Sequence, residues 1–263
     1  MVHPTVQIKL SADIRDELEV NGEIDYHTAP ELRQAITRYY AEGGGNLRLQ
    51  LEGVEFIDST GLSVLLDAVK TARGSGWAIT LIRPSEQLLR VLSVSGFAPF
   101  FDVEYKESAA VEDSRPVPVP LDELSVETFE AEGRPENIGN LRRSVIGFAK
   151  KLPFTQLELN DIKLAVGEAT SNALRYGCHS GKETIRVTVT RKGHRFSVQI
   201  TDPGPGFDPN KVPAVNEGEL AEGGRGIFFM RCLMDEVNYT FDRAGTTVEL
   251  VKHIPADRFS SDN

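Results

Sequence analysis

The chain reads as a two-domain α/β protein, and three observations predict it. Stretches of two-residue apolar alternation take turns with stretches carrying an apolar stripe every three to four residues, the pattern of sheets covered by helices. Between residues 107 and 121 the texture changes to ESAAVEDSRPVPVP, with Pro116, Pro118 and Pro120 and no apolar period. The 263 residues suit about two domains of ordinary size, each able to bury its own core.

In the first domain, residues 1–106, segments 6–10 and 14–20 alternate as paired strands, with Asn21-Gly22 or the Ser11-Ala12-Asp13 cluster supplying turns. From Thr28, with Pro30 near the first turn, APELRQAITRYYAEGGG reads as a helix closed by three glycines. A short strand at 46–51 follows, and Phe56-Ile57 lead into Asp58-Ser59-Thr60-Gly61 and a helix with the stripe Leu62, Leu65, Leu66 and Val69. A strand at 77–82, the helix SEQLLRVLSVSG and a short strand at 101–105 complete this half.

The proline-rich linker, 107–121, is stiffened locally towards polyproline II. Its first fourteen residues, 107–120, span at most roughly 46 Å when fully stretched.

The second domain, residues 122–255, opens with a strand at 122–131 and a helix from Pro135, ENIGNLRRSVIGFAKKL. A helix over about 155–176 follows, stopped at Gly177. Strands at 183–190 and 196–201 are joined at Lys192-Gly193, and a non-periodic stretch at 207–222 reads as a long functional loop. Gly223-Gly224-Arg225-Gly226 opens the helix IFFMRCLMDEV, and strands at 238–242 and 246–251 meet at Ala244-Gly245. From Ala256 to 263 the tail is polar and reads as frayed.

Charge bounds the partners. With 29 basic against 39 acidic residues the net charge is −10. Nucleic-acid binding draws on clustered Lys and Arg, so a phosphate backbone is not an expected ligand. The N-terminus has neither a basic nor an apolar leader region, and no apolar run approaches the ~20 residues of a membrane span, so the reading is cytoplasmic, with no membrane partner. Cys178 and Cys232 stand far apart and outside any CxxC pattern, which indicates two ordinary thiols.

Three clusters in the second domain carry chemistry. In LAVGEATSNALRYG, residues 164–177, Glu168 and Asn172 sit one helical turn apart on one face, extended by Asp161, Ala165 and Arg175. The stripe Ile162, Val166, Ala169, Ala173 and Tyr176 has the period of a buried side. A strand ending in Asp202-Pro203-Gly204-Pro205-Gly206 presents one fixed carboxylate and then a backbone free of Cβ atoms that a flat ligand can approach. The glycines at 223–226 open a helix, so their N–H groups and the positive end of its dipole can hold phosphates, with Arg225 adding charge.

In this order, GEATSNALRYG, DPGPGF, EGGRGIFFM and GTTVELV resemble the Bergerat-fold ATP-binding domain shared by histidine kinases, gyrase, Hsp90 and MutL, and most of all the bacterial anti-sigma-factor serine kinases. The resemblance implies an α/β sandwich that binds ATP and Mg²⁺. It assigns Glu168 as general base and Asn172 as metal ligand, with Asp202 reading the adenine amine. Gly204 and Gly206 would let the base approach, Gly223, Gly224, Arg225 and Gly226 would hold phosphates, and Thr247 would support the adenine end. Tyr176 stands where a histidine is frequent, which leaves that corner undefined.

The first domain resembles the STAS domains of anti-sigma-factor antagonists through NGEIDYHTAPELRQAI and FIDSTGLSVLL, which implies a mixed sheet with helices. In that likeness Ser59 is the phosphoacceptor, flanked by Asp25 and Asp58; helix N-capping is the commoner task of such residues. Together the likenesses imply a partner-switching regulator of transcription that phosphorylates a STAS serine, its own or that of a separate antagonist, and sequesters a sigma factor. They further imply a homodimer through the kinase half and a PP2C-type serine phosphatase that reverses the modification. The alternative is a non-catalytic nucleotide-binding scaffold with a STAS docking module. A histidine kinase is disfavoured because the helix from Pro135 carries no His.

Overall fold

A computed structural model of the chain describes residues 6–11, 16–105, 124–206, 224–242 and 245–259. The linker at 107–121, the loop at 207–222 and Gly223 therefore lie outside the described residues. The chain divides into two compact units.

The first unit contains β1 (Gln7–Leu10), β2 (Glu17–Ile24), α1 (Ala29–Ala41), β3 (Leu47–Ile57), α2 (Ser59–Gly74), β4 (Ile79–Ile82), α3 (Glu86–Val94) and β5 (Asp102–Glu104). The five strands lie in the order β1-β2-β3-β4-β5, with β1 antiparallel to β2 and the other pairs parallel, so the sheet is mixed as expected. Leu49, Leu51, Phe56, Leu62, Leu65, Leu81 and Leu88 fill the core beneath the helices. Two expectations are corrected. Asn21-Gly22 is no turn: it lies within β2, where Gly22 takes φ +101° and register shifts flank it. The segments 46–51 and 56–57 are parts of one strand, because that irregularity lets β2 keep pairing with β3 through Gly53, where any Cβ would overlap the Asn21 side chain.

The second unit contains β6 (Ser125–Glu132), α4 (Pro135–Ala149), α5 (Gln156–Asn172), β7 (Thr184–Lys192), β8 (Arg195–Asp202), α6 (Arg225–Leu233), β9 (Glu236–Asp242) and β10 (Gly245–His253). Its sheet is antiparallel throughout, in the order β6-β7-β8-β10-β9. One face packs Ile185, Val187, Val198, Ile200, Val248 and Leu250 against Val145 of α4, Ile162, Val166 and Ala169 of α5 and Met230 of α6. The alternate residues Gln199, Thr201, Thr247 and Glu249 point to the other face. The helix at 227–237 is shorter than its pattern suggested, because Glu236 and Val237 pair with β10 instead.

Both ends of α5 depart from a plain helix. At its start Thr155 and Glu158 form a reciprocal capping box. Arg258 donates to Glu158 Oε2 at 2.6 Å and to the Pro153 carbonyl at 3.1 Å. The tail at 256–259, expected to fray, is thus pinned, and Phe259 packs edge-on against His194. At its other end α5 passes into a π turn over Ala173–Gly177. The wider turn breaks the 3.6-residue register, so Tyr176, placed on the buried stripe by periodicity, emerges 58% exposed. Among the described residues no helix is long and apolar enough to cross a membrane.

Candidate functional site

Three elements converge on the last turns of α5. Glu168 is 2% exposed, and Asn172 lies one turn further on and is partly exposed. The N-terminus of α6 approaches them through Gly226, where a Cβ would stand 2.5 Å from Glu168 Oε2 and 3.6 Å from Asn172 Nδ2. At Gly226 the helix backbone comes within contact of the carboxylate with no Cβ between them. Gly224 caps α6 in the left-handed region at φ +76°, a conformation glycine adopts without strain. Arg225 is buried in that first turn, 6% exposed, rather than extended into solvent. Gly223 lies outside the described residues.

The other end of the site is built on Asp202, the last residue of β8. Its Oδ1 accepts the Gly204 N–H at 2.8 Å. A Cβ at Gly204 would stand 2.6 Å from that oxygen and 2.8 Å from Gly177 Cα, and one at Gly177 would overlap the Asp202 carboxylate. The π turn is what swings Gly177 into this position. Burial raises the pKa of the Asp202 carboxyl above the ordinary aspartate value, making it a weaker acid, and the Gly204 N–H pulls part of the way back. Beside it, Cys178 is an inert thiol: burial first, then the charges of Glu183 and Asp202, push it up to about 11. Gly206 turns with φ +79° against Phe241 of β9.

Thr247 does not face this site. Strand alternation sends it to the opposite face, where its hydroxyl pairs with Thr201 Oγ1 at 2.9 Å. Thr246 lies directly opposite Asp202 in the register, is buried, and donates weakly to the Gly204 carbonyl at 3.5 Å. Parity would have found it: Val248 and Leu250 face the core, so the inward threonine of the pair is the even-numbered one. In local pattern Gly177 is only a helix stop and Gly245 only a turn residue. Each is required by the backbone or carboxylate of Asp202, since a Cβ at Gly245 would overlap the Asp202 carbonyl.

In the first unit, the loops at the carboxyl ends of β2 and β3 meet around Asp58. Its Oδ1 accepts from Thr60 N at 2.8 Å and Gly61 N at 3.0 Å, and its Oδ2 accepts from Tyr26 N at 3.1 Å. Asp25 folds its own loop, accepting from His27 N at 3.0 Å and from Thr28. Both carboxylates are buried, at 5% and 1% exposure for Asp25 and Asp58. Ser59 is the first residue of α2 and partly exposed; the capping task falls to Asp58. Gly61 lets α2 press against Ile24 and Ile57, where a Cβ would stand 2.7 Å from Ile24 Cγ2.

Comparison with known proteins separates the same two halves. The family described as "Histidine kinase-like ATPase domain" matches residues 131–252, and the STAS domain family matches residues 9–110. The serine-protein kinase RsbW of Bacillus subtilis (strain 168) is 31% identical over 145 residues, 51% of this chain and 89% of the relative. The chain belongs to the STAS and histidine kinase-like ATPase families. Its ATPase unit is also 34% identical over 125 residues to the anti-sigma F factor of Anoxybacillus flavithermus (strain DSM 21510 / WK1), covering 45% of this chain and 86% of that protein. Its STAS unit is similar to the anti-sigma-B factor antagonist of Bacillus subtilis (strain 168), 32% identical over 110 residues, 40% of this chain and the whole of the relative.

Proposed function

We propose that the ATPase unit is a serine kinase that binds Mg-ATP and phosphorylates a STAS-domain serine, Ser59 or its counterpart in a separate antagonist. The modification state then decides whether the kinase unit holds the antagonist or a cytoplasmic sigma factor. The observation that carries this reading is the approach of two glycine backbones to the two ends of one polar helix edge: a Cβ at Gly226 would stand 2.5 Å from Glu168 Oε2, and one at Gly204, beside Asp202, 2.8 Å from Gly177 Cα. The α-helical part of that edge, Glu168 to Asn172, rises about 6 Å at 1.5 Å per residue before the π turn carries the chain to Gly177 beside Asp202.

The residues fit such a ligand. Asp202 is a buried acceptor beside a floor without side chains, able to take a hydrogen bond from an exocyclic amine. The first N–H groups of α6, after Gly224, would be available to hold phosphates, and the positive end of the helix dipole would add attraction. Asn172 would supply a carbonyl oxygen to the metal. When bound, Mg-ATP supplies the phosphoryl group and the cation that offsets its charge. Glu168 would take the proton of the attacking hydroxyl, working from a buried position where water does not compete.

Ser59 suits the acceptor role because Asp58, not its own hydroxyl, caps α2. A phosphate there adds about −2 charges beside Asp25 and Asp58 and would repel an acidic partner surface, while the start of α2 stabilises it in part. A PP2C-type phosphatase would reset the switch, and pairing of kinase units would make the working form a homodimer. The test is mass spectrometry after incubation with Mg-ATP, for the full chain and for Glu168→Ala, with a separate STAS antagonist present and absent. Serine phosphate on the chain or the antagonist, lost in Glu168→Ala, is expected. ATP binding without any serine phosphate would overturn the kinase reading.

A further inference from the structure

Beyond the glycine sets and the α5 edge, one side chain of the ATPase unit bears directly on the base-binding end of the site. Phe241 pairs with Thr246, and Thr246 pairs with Asp202, so the three residues form one cross-strand row over β9, β10 and β8. A residue keeps the face of its directly opposite partner, so Phe241 lies on the Asp202 side of the sheet. Its ring runs parallel to Tyr239, two residues back along β9, at 6.4 Å and 5°. It remains 42% exposed, which is unusual for a phenylalanine on a sheet face otherwise covered by helices.

What the ring touches gives it a task. Gly206 turns with φ +79°, and a Cβ there would stand 2.6 Å from Phe241 Cδ1 and 3.2 Å from Cε1. The far end of the Asp202–Gly206 turn therefore rests against an aromatic edge. Its near end is held by the Gly204 N–H on Asp202 Oδ1, and its middle by Thr246 on the Gly204 carbonyl. Of these three supports, two are single hydrogen bonds, and the ring is the one with bulk.

We propose that Phe241 is a positioning residue of the nucleotide pocket: it seats Gly206, and through that turn it sets the Gly204 backbone and the Asp202 carboxylate for the purine base. The inference rests on the nucleotide reading above. A smaller side chain at 241 removes the packing under Gly206 and leaves the turn held by the two hydrogen bonds alone, so Asp202 gains water and the base loses its acceptor geometry. The phosphate end of the site, on α6 and Asn172, belongs to other elements and keeps its geometry. The defect is therefore confined to base binding.

The experiment measures ATP binding and serine phosphorylation by the full chain and by Phe241→Ala, Phe241→Leu and Phe241→Tyr, with competition by inorganic tripolyphosphate, which has no base. Phe241→Ala is expected to raise Kd and KM for ATP about tenfold, with kcat within about twofold and tripolyphosphate affinity unchanged. Phe241→Tyr is expected to restore ATP affinity nearly fully, and Phe241→Leu in part. Thermal unfolding of each variant, read alongside, identifies a simple loss of fold, in which case Phe241→Leu and Phe241→Tyr decide the outcome. An unchanged Kd for ATP in Phe241→Ala would overturn the proposal and leave the nucleotide reading standing. Equal losses of ATP and tripolyphosphate affinity would also overturn it, by showing a general structural role. A native chain that binds neither ATP nor tripolyphosphate would end both readings.

Discussion

The two units hold their chemistry by opposite means. Around Ser59 the STAS unit uses side chains: Asp58 alone accepts three backbone N–H groups, and Asp25 folds the neighbouring loop. Around Glu168 and Asp202 the ATPase unit uses the absence of side chains: Gly177, Gly204, Gly226 and Gly245 each let backbone approach a carboxylate or a carbonyl where a Cβ would intrude. A loop that must present its own hydroxyl can be tied down by its neighbours. A pocket that must admit a ligand keeps its lining thin. The first kind of site is therefore broken by deleting atoms, the second by adding them.

The largest expected effect comes from adding one. Gly226→Ala places a methyl group 2.5 Å from Glu168 Oε2, but that oxygen ends a flexible side chain that can rotate away. The fold should survive, with a melting temperature close to native, while phosphoryl transfer falls about 10²-fold or more, the usual range for a displaced general base. Steady-state phosphorylation of a STAS serine, alongside thermal unfolding, checks both halves. Native-like transfer by Gly226→Ala would show that Glu168 and the start of α6 do not act together.

Deleting atoms on the other side should cost stability first. Asp58→Ala leaves Thr60, Gly61 and Tyr26 N–H groups without their acceptor, one of them across 32 residues of sequence. The loss of a helix cap and of buried acceptors together is expected to cost about 2–3 kcal/mol, seen as a lower urea midpoint of the STAS transition. Ser59→Ala, one residue along, should cost less than about 0.5 kcal/mol, because the cap is not its task. If the two variants were equally destabilised, Ser59 would be a structural residue and a poor acceptor.

This contrast also explains what the sequence could and could not tell. Glycine runs and helix faces are local patterns, so the helix bearing Glu168 and Asn172 and the two glycine turns were legible, as were most strands of both sheets. Three features were not. Thr246 and Thr247 are chemically identical, and only strand parity separates the one facing Asp202 from the one paired with Thr201. The π turn at Ala173–Gly177 changes the period within the helix, so a 3.6-residue stripe carried Tyr176 inward when the chain turns it out. Asn21-Gly22 has the composition of a hairpin turn, yet long-range pairing with β3 absorbs it as an irregularity within a strand.

Long-range pairing also anchors the tail at 256–259, and it yields the smallest effect. Arg258 contacts Glu158, 100 residues away, so nothing near it in sequence marks it as anchored. Burial alone would raise the Glu158 carboxyl, but the Arg258 guanidinium and the Thr155 N–H and hydroxyl outweigh it and hold the group below its ordinary value. A carboxyl with a depressed folded-state value binds fewer protons than the unfolded chain. Its stabilisation is therefore complete above the unfolded value of about 4.3 and is lost as pH falls through the folded one. Arg258→Ala should cost about 1 kcal/mol at pH 7, since both side chains keep some exposure, at 22% and 18%. The gap between native and variant should hold constant down to about pH 5 and close below about pH 4. Denaturant midpoints measured across that range test the sign: a gap that widens in acid would mean that Glu158 is stabilised by its protonated form, and that the pinned tail owes its place to the packing of Phe259 on His194 instead.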